Sequence, residues 1–167
     1  GVVAPYYCGY GGDLLAIVFD GETHGYRSVG RSAAAATIGA LRSEGLTEMP
    51  EIGAHTVTVP GAVRGWFDLL ERFGTRGFAD LARRALAYAE EGFPITAFAA
   101  ELLSGCRAIY SEFPDFLAAY PEPVPGQLLV QPDLGRTIRL LCGDGPDAYY
   151  RGPVAGAIAD AVGSNGG

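Results

Sequence analysis

The spacing of the apolar residues changes at Pro60, and this change limits the folds that the chain can adopt. Before Pro60, short apolar or alternating segments are separated by glycine-rich turns, which is the pattern of strands and hairpins. After Pro60, apolar residues recur every three or four positions, which is the pattern of amphipathic helices. This order predicts an α+β chain with strands in the first third and helices after them.

Three strands are predicted before Pro60. Residues 14–19 form a continuous apolar run between turns of glycine and aspartate, which is typical of a strand that is buried on both faces. Residues 26–29 are the expected hairpin partner of this strand. Residues 55–59 alternate threonine with valine and predict a third strand, which Pro60 ends.

The segment after Pro60 is predicted to be mostly helical. The expected helices cover residues 63–73, 78–89, 97–104 and 132–142, with a turn of helix at 115–120 and a last helix from Pro153. The prolines of residues 121–125 predict a rigid connection. Because no segment repeats and no second domain stands out, we expect residues 1–167 to belong to one region.

The composition excludes several classes of protein. Hydrophobic residues make up 49% of the chain, which excludes a disordered protein. The formal net charge is −7, all 12 basic residues are arginine, and no basic tract occurs, so nucleic acid is excluded as the main partner. No apolar run approaches the ~18 residues that a membrane-spanning helix needs.

The cysteines indicate the redox state of the compartment, and the chain ends indicate whether the sequence is part of a longer polypeptide. Cys8, Cys106 and Cys142 are widely spaced and odd in number, which predicts reduced thiols and favours the cytoplasm, with Cys8 as a small buried thiol. The sequence starts at Gly1 without an initiator methionine and stops at Gly167 without a closing element. We therefore expect it to be a piece of a longer polypeptide.

Two local patterns are weak candidates for a binding site. The Gly9-Tyr10-Gly11-Gly12-Asp13 turn precedes a strand, whereas a dinucleotide-binding loop follows a strand and opens a helix. We interpret it as a turn whose glycines adopt positive φ or allow another backbone to approach closely. His24 and His55 belong to no metal-binding pattern and are expected at the surface or at strand edges, so no metal site is predicted.

Arg31 is the strongest candidate for a binding residue. It follows a predicted strand and precedes the small residues 32–37, which leave room for the guanidinium to extend into a cleft. There its planar fork can bind a carboxylate through two hydrogen bonds. Spacing alone favours a solvent-exposed side chain at Arg31, which is also the interpretation of the charged residues on the predicted helices. These are Arg64, Arg83, Arg84, Arg136 and Arg139, with Glu90 and Glu91 at a helix end.

Four stretches, which together span nearly the whole chain, occur in an order that is found in one enzyme family. The first runs from Gly1-Val2-Val3-Ala4-Pro5 through the glycine turn to Val18-Phe19-Asp20, and the second is Gly30-Arg31 with the alanines up to Thr37. The third is Val59-Pro60-Gly61-Ala62-Val63-Arg64-Gly65-Trp66 with Arg72-Phe73-Gly74 and Glu91-Gly92-Phe93-Pro94. The fourth is Gln131-Pro132-Asp133-Leu134 with Gly145-Pro146-Asp147-Ala148-Tyr149-Tyr150-Arg151-Gly152. In this order they resemble the large subunit of the γ-glutamyltransferase family of N-terminal-nucleophile hydrolases.

The resemblance implies a four-layer αββα fold, in which two central sheets are sandwiched between helices. It also implies a bacterial enzyme that is made as a precursor and cuts itself into two subunits. The partner of this chain is then the small subunit, whose N-terminal threonine attacks a γ-glutamyl amide with its own α-amino group as base. The γ-glutamyl group passes to water, an amino acid or a peptide. Glutathione is the typical donor, and no metal or cofactor is required.

The resemblance assigns one substrate-binding residue and no catalytic residue to this chain. Arg31 matches the large-subunit arginine that pairs with the α-carboxylate of the γ-glutamyl group. None of the eight threonines lies in a setting that resembles the processing site. They are Thr23, Thr37, Thr47, Thr56, Thr58, Thr75, Thr96 and Thr137. The chain alone is therefore expected to be inactive.

The chain departs from the transferase pattern at three places. Ser32 follows Arg31 where transferases have an acid, Pro5-Tyr6-Tyr7-Cys8 replaces Pro-His-Ser-Ser, and Gly11-Gly12-Asp13-Leu14 replaces a run of four glycines. These variants resemble the acylase and amidohydrolase members of the family. An amidohydrolase or acylase that acts on another small acyl amide is therefore the alternative function. A non-catalytic scaffold or binding module is the alternative from a different class.

Overall fold

A computed structural model describes all residues from 1 to 167 and divides them into two compact units. Unit 1 comprises Gly1–Gly9 and Arg76–Gly143, and unit 2 comprises Tyr10–Thr75 and Asp144–Gly167. Each unit is therefore built from two segments that are distant in the sequence.

The secondary structure consists of four strands and eight α-helices. The strands are β1 (Leu14–Phe19), β2 (Thr23–Ser28), β3 (Phe93–Pro94) and β4 (Leu128–Leu129). The helices are α1 (Ile38–Ser43), α2 (Ala62–Phe73), α3 (Phe78–Glu91), α4 (Ala97–Ile109), α5 (Pro114–Ala119), α6 (Pro132–Asp144), α7 (Asp147–Tyr150) and α8 (Pro153–Ser164). The β1–β2 hairpin precedes all the helices, and the two-residue strands β3 and β4 lie between later helices, so the predicted α+β class is confirmed while the strict order of strands before helices is not.

In unit 2, β1 and β2 form an antiparallel hairpin whose register runs from Leu14 opposite Ser28 to Phe19 opposite Thr23. Helix α2 packs on one face of this hairpin. Its Gly65 lies so close that an added Cβ would stand 2.6 Å from Leu14 Cδ2 and 2.8 Å from Ser28 Cβ. A side chain at this position would push the helix away, so a glycine is required for the close contact.

The second face of β1 is open. The side chains of Leu15, Ile17 and Phe19 are 74%, 82% and 74% exposed, whereas their neighbours along the strand are half-buried under α2. The prediction that β1 is buried on both faces is therefore wrong for this chain, because α2 covers one face only.

The predicted third strand over residues 55–59 is also wrong. A 3₁₀ turn at Ala54–Thr56 follows Gly53, whose φ is 112°. The N–H groups of Thr56 and Val57 donate within this turn, to Gly53 O and Ala54 O at 3.2 Å each, and are not available to a neighbouring strand. The strand-like pairing of this segment is limited to one isolated bridge between residues 58 and 32.

The predicted helices are confirmed, with boundaries that their caps explain. Gly92, with φ of 88°, ends α3 in the backbone region that favours glycine. Thr96 caps α4 by accepting from Ala99 N at 3.1 Å, and α4 continues beyond the predicted end to Ile109. Helix α1, which was not predicted, is capped in the same way by Thr37.

The core of unit 1 joins the N-terminal segment to its helices. Ile138 and Leu141 of α6 are 0% and 1% exposed, and Ala89 of α3 is 0% exposed. The buried Gln131 connects these elements, because its Nε2 donates to Val2 O at 2.9 Å and its backbone N–H donates to Ala89 O at 2.8 Å. In neither unit does a helix combine the length and the apolar composition that crossing a membrane requires.

Candidate functional site: an arginine cleft in unit 2

Arg31 lies three residues after the end of β2, where backbone hydrogen bonds hold it in place. Its carbonyl oxygen accepts from Val59 N at 2.9 Å, and the next residue, Ser32, forms a bridge with Thr58. The main chain of Arg31 is therefore fixed against the segment that leads into α2, while its side chain is exposed.

Gly30 and Gly61 let three backbone segments meet beside Arg31. A Cβ added to Gly30 would lie far inside 3.0 Å of Val59 O, a distance that real Cβ atoms do not reach. At Gly61 an added Cβ would collide with Ser28 O and stand 2.9 Å from Asp13 Oδ1. The Gly30 N–H donates to the same Asp13 Oδ1 at 3.1 Å. The junction therefore requires glycine at both positions, and Asp13 completes it.

The N-terminus of α2 is completed by residues that are distant in sequence. The Tyr150 hydroxyl donates to Pro60 O at 2.6 Å and accepts from Arg64 N at 2.9 Å. The Ala62 N–H donates to Gly12 O at 2.8 Å. The first N–H groups of a helix have no partner within the helix, so these contacts satisfy donors that would otherwise be unpaired.

A cleft of about 380 Å³ opens at this junction. Its walls include three arginines, Arg31, Arg64 and Arg151, and one carboxylate, that of Asp147, with Tyr150 between them. Three guanidinium groups in one cleft stand out in a chain whose formal net charge is −7. The cleft is therefore suited to an anionic group.

The arginines of the cleft differ in how they are paired. Arg64 lies 3.6 Å from Asp68 and 3.7 Å from Asp147, with its guanidinium 5.9 Å from the centre of the Tyr150 ring. The guanidinium of Arg31 makes no hydrogen bond and no ion pair with the chain. All five of its N–H donors are therefore free to bind a ligand.

The two tyrosines of α7 are hydrogen-bond donors over the whole physiological pH range. Burial raises the pKa of Tyr149 to about 12, and its hydroxyl donates to Tyr10 O at 2.8 Å. Burial also raises the pKa of Tyr150, with a contribution from the carboxylates of Asp68 and Asp13, although the Arg64 amide and guanidinium oppose the shift. Both phenols therefore stay protonated and hold their backbone carbonyls.

His24 lies in the edge strand β2, as predicted, whereas His55 lies in the 3₁₀ turn, and both side chains are half-buried. His24 Nε2 is 2.9 Å from Asp20 Oδ1, and its Nδ1 is 3.1 Å from Arg72. Because of His24, the pKa of the Asp20 carboxyl is lowered. His55 Nε2 is 3.1 Å from Glu44. No cluster of three or more His, Cys, Asp or Glu side chains is arranged to hold a metal ion.

The predictions for the N-terminal turn fail at Cys8, Gly9 and Gly11, whereas at Gly12 another backbone does approach closely, because Ala62 N donates to Gly12 O at 2.8 Å. Cys8 is exposed and not buried, although it is unpaired like the half-buried Cys106 and Cys142. None of the glycines between residues 9 and 12 has a positive φ, and an added Cβ at Gly9 or Gly11 would meet nothing within 4 Å. These two glycines are not required by the backbone around them.

Sequence reasoning missed most of the residues that surround Arg31. Arg64 was predicted on a solvated helix face, yet it lines the cleft, and no role was predicted for Tyr150, Asp147, Arg151 or Asp13. All five lie inside the stretches that carry the family resemblance, which was the only signal for them.

Comparisons with known proteins find relatives over the whole length of the chain. The family model described as gamma-glutamyltranspeptidase matches residues 1–167. The chain is 35% identical over 120 residues to an acylase ACY 1 proenzyme from Pseudomonas sp. (strain SE83), covering 70% of this chain and 22% of that protein. It is 32% identical over 176 residues to a glutathione hydrolase proenzyme from Bacillus subtilis (strain 168), covering 99% of this chain and 30% of that protein.

A solved structure of a gamma-glutamyltranspeptidase from Pseudomonas nitroreducens, in complex with L-DON, has a similar fold. The TM-score is 0.89 at 25% identity, and the match covers 99% of this chain and 51% of that chain. The likeness confirms that the α+β chain is part of the αββα fold. The chain spans less than a third of the length of the two proenzymes that it matches here.

Proposed function

Because this chain belongs to the gamma-glutamyltranspeptidase family, we propose that it forms part of the large subunit of an enzyme that hydrolyses γ-glutamyl amides. In this proposal Arg31 binds the carboxylate of the acyl group, and a small subunit supplies the threonine nucleophile. The observation that carries the proposal is the unpaired Arg31 guanidinium at a cleft that is also lined by Arg64 and Arg151. The resemblance of Gly30-Arg31 to the family pattern supports carboxylate binding as the role of Arg31.

The role of this chain in the reaction is to hold the donor. A guanidinium and a carboxylate form two parallel hydrogen bonds, which fix both the position and the direction of the acyl chain. The threonine Oγ then bonds to the acyl carbon, its α-amino group accepts the Oγ proton and passes it to the amide nitrogen, and the amine leaves as the C–N bond breaks. Water, an amino acid or a peptide takes the acyl group from the threonine in the second step.

A second candidate is an acylase that acts on another small acyl amide. It is supported by the 35% identity to the Pseudomonas acylase and by Ser32, Tyr6, Tyr7 and Cys8, which depart from the transferase pattern. The two candidates share the need for a bound acyl group and differ in the donor that they accept. They are therefore separated by a comparison of donors.

The test measures chromophore release from a γ-glutamyl anilide by the complete enzyme that contains this chain, with and without a dipeptide acceptor. Arg31→Ala and Arg31→Lys are compared with Arg83→Ala, which removes an exposed arginine outside the cleft. Loss of the partner of a bound carboxylate costs about 2–5 kcal/mol. We therefore expect kcat/KM of Arg31→Ala to fall about 30-fold to several thousand-fold, with self-cleavage intact and Arg83→Ala unchanged.

The outcomes separate the candidates. Turnover like that of the wild type in Arg31→Ala would contradict the proposed role of the guanidinium. Turnover of other acyl amides without any release from γ-glutamyl donors would favour the acylase. If no acyl amide is cleaved, the non-catalytic binding module remains.

A further inference from the structure

We infer that Asp13 is a positioning residue, which orients Arg31 for the carboxylate of the donor by fixing the peptide unit between Val29 and Gly30, one residue before Arg31. The inference rests on the function proposed above, because it assigns Asp13 a role only through Arg31. The one direct contact that carries it is the hydrogen bond from Gly30 N to Asp13 Oδ1, at 3.1 Å.

The backbone around Arg31 is held from two sides. On one side Asp13 accepts from the N–H of Gly30, and on the other side Val59 N donates to Arg31 O at 2.9 Å. Gly30 itself cannot move toward Val59, because its Cα already touches the Val59 carbonyl. The direction in which the Arg31 side chain leaves the backbone is therefore set by these two hydrogen bonds.

The contacts of the Asp13 carboxylate are with the backbone of this junction and not with the arginines of the cleft. An added Cβ at Gly61 would stand 2.9 Å from Asp13 Oδ1, so the carboxylate is packed closely against the start of α2. It makes no ion pair with Arg31 or with the other arginines of the cleft. A hydrogen bond to an ionised carboxylate is stronger than a neutral one. Asp13 thus fixes the main chain and leaves the guanidinium free.

The experiment compares two donors on the complete enzyme. One is a γ-glutamyl anilide, and the other is the 4-aminobutyryl anilide, which has the same chain without the α-carboxylate and is assayed at high enzyme concentration. The variants are Asp13→Ala, Asp13→Asn and Arg31→Ala, with Asp160→Ala as the control, because Asp160 is an exposed aspartate of α8.

We expect Asp13→Ala to raise KM for the γ-glutamyl donor about tenfold or more, with a smaller change in kcat and no change in kcat/KM for the donor without the carboxylate. Asp13→Asn keeps an oxygen acceptor for Gly30 N and is expected to restore most of the affinity. In the Arg31→Ala background, the Asp13→Ala change is expected to have no further effect.

Failure of the positioning role and failure of the proposed function give different results in this experiment. If Asp13→Ala lowers kcat/KM equally for both donors, or leaves both unchanged while Arg31→Ala lowers only the γ-glutamyl rate, the positioning role is refuted and the proposed function stands. If the wild type releases chromophore from neither donor, both the function and the positioning role are refuted. If Asp13→Ala does not fold, Asp13→Glu, which moves the acceptor by one methylene, must show the same selective rise in KM.

Discussion

Replacing Gly30 with alanine tests whether close backbone packing holds the binding arginine in place. The new methyl group would collide with Val59 O, because a Cβ at this position falls far inside the 3.0 Å limit. The conformation at residue 30 does not require a positive φ, so the effect is steric and not a matter of backbone strain. The segment that carries Arg31 has to move away from the segment before α2.

The structure gives the size of the effect. Relief of the collision separates Arg31 O from Val59 N, now at 2.9 Å, and shifts Gly30 N from Asp13 Oδ1, now at 3.1 Å. A neutral hydrogen bond contributes about 0.5–1.5 kcal/mol and one to a charged group about 1.5–3 kcal/mol, so the loss of both destabilises this junction by about 2–4 kcal/mol. A shift of about 1 Å in a substrate-positioning group lowers the rate about 100-fold.

The assay is kcat/KM for the γ-glutamyl anilide together with the thermal unfolding midpoint of the complete enzyme. Gly105→Ala is the matched control, because Gly105 lies in the interior of α4 and an added Cβ meets no atom within 4 Å. We expect Gly105→Ala to be active and stabilised by about 0.5–1 kcal/mol. A Gly30→Ala enzyme with an unchanged midpoint and a rate within threefold of the wild type would refute the reasoning.

Two further predictions concern the tyrosines of α7. Tyr150→Phe removes the hydrogen bonds to Pro60 O and from Arg64 N, so we expect a loss of about 1–3 kcal/mol in stability and a lower unfolding midpoint, with the exposed Tyr7→Phe as the unaffected control. Because the pKa of Tyr149 is raised from 10.0 to about 12 on folding, its stabilising contribution is complete below pH 10 and is lost as the pH rises through 12. The measurement is a titration followed by tyrosinate absorbance, in which Tyr149→Phe should remove one group that ionises near pH 12. If the substitution instead removes a group that ionises near pH 10, the argument that burial raises the pKa of Tyr149 is contradicted.

Local patterns predicted the longer helices and strand β1, but they missed the short helices α1 and α7 and placed the partner strand at 26–29, whereas β2 is Thr23–Ser28. The run of residues 14–19 matches β1, and Thr96 and Gly92 cap the helices as their chemistry requires. The same run gave a wrong prediction of burial, because an apolar run indicates a strand that is apolar on both faces, whereas α2 covers only one face of β1 here. The alternation at residues 55–59 failed because the preceding 3₁₀ turn uses the amides that a strand needs.

The cleft was less accessible to sequence reasoning, because its parts are far apart along the chain. Arg31 was identified by its small neighbours and by the family resemblance, and the structure places it in a cleft, although its role as a ligand for carboxylate stays a prediction. Tyr150 acts 90 positions away from Pro60, and no local period connects them. Asp13 looks like an ordinary turn residue until Gly30 is found opposite to it.

The hydrogen bonds of Tyr150 also determine when unit 2 can form during synthesis. They join positions 90 and 86 residues apart, and closing a loop of that length costs about 4 kcal/mol of chain entropy. The ribosome has to add the whole of Arg76–Gly143, the larger segment of unit 1, before Tyr150 emerges. At about 5–20 residues per second, the N-terminus of α2 waits several seconds for its partner. The arginine cleft is therefore completed late, after the polypeptide of helices α3 to α6 has been made.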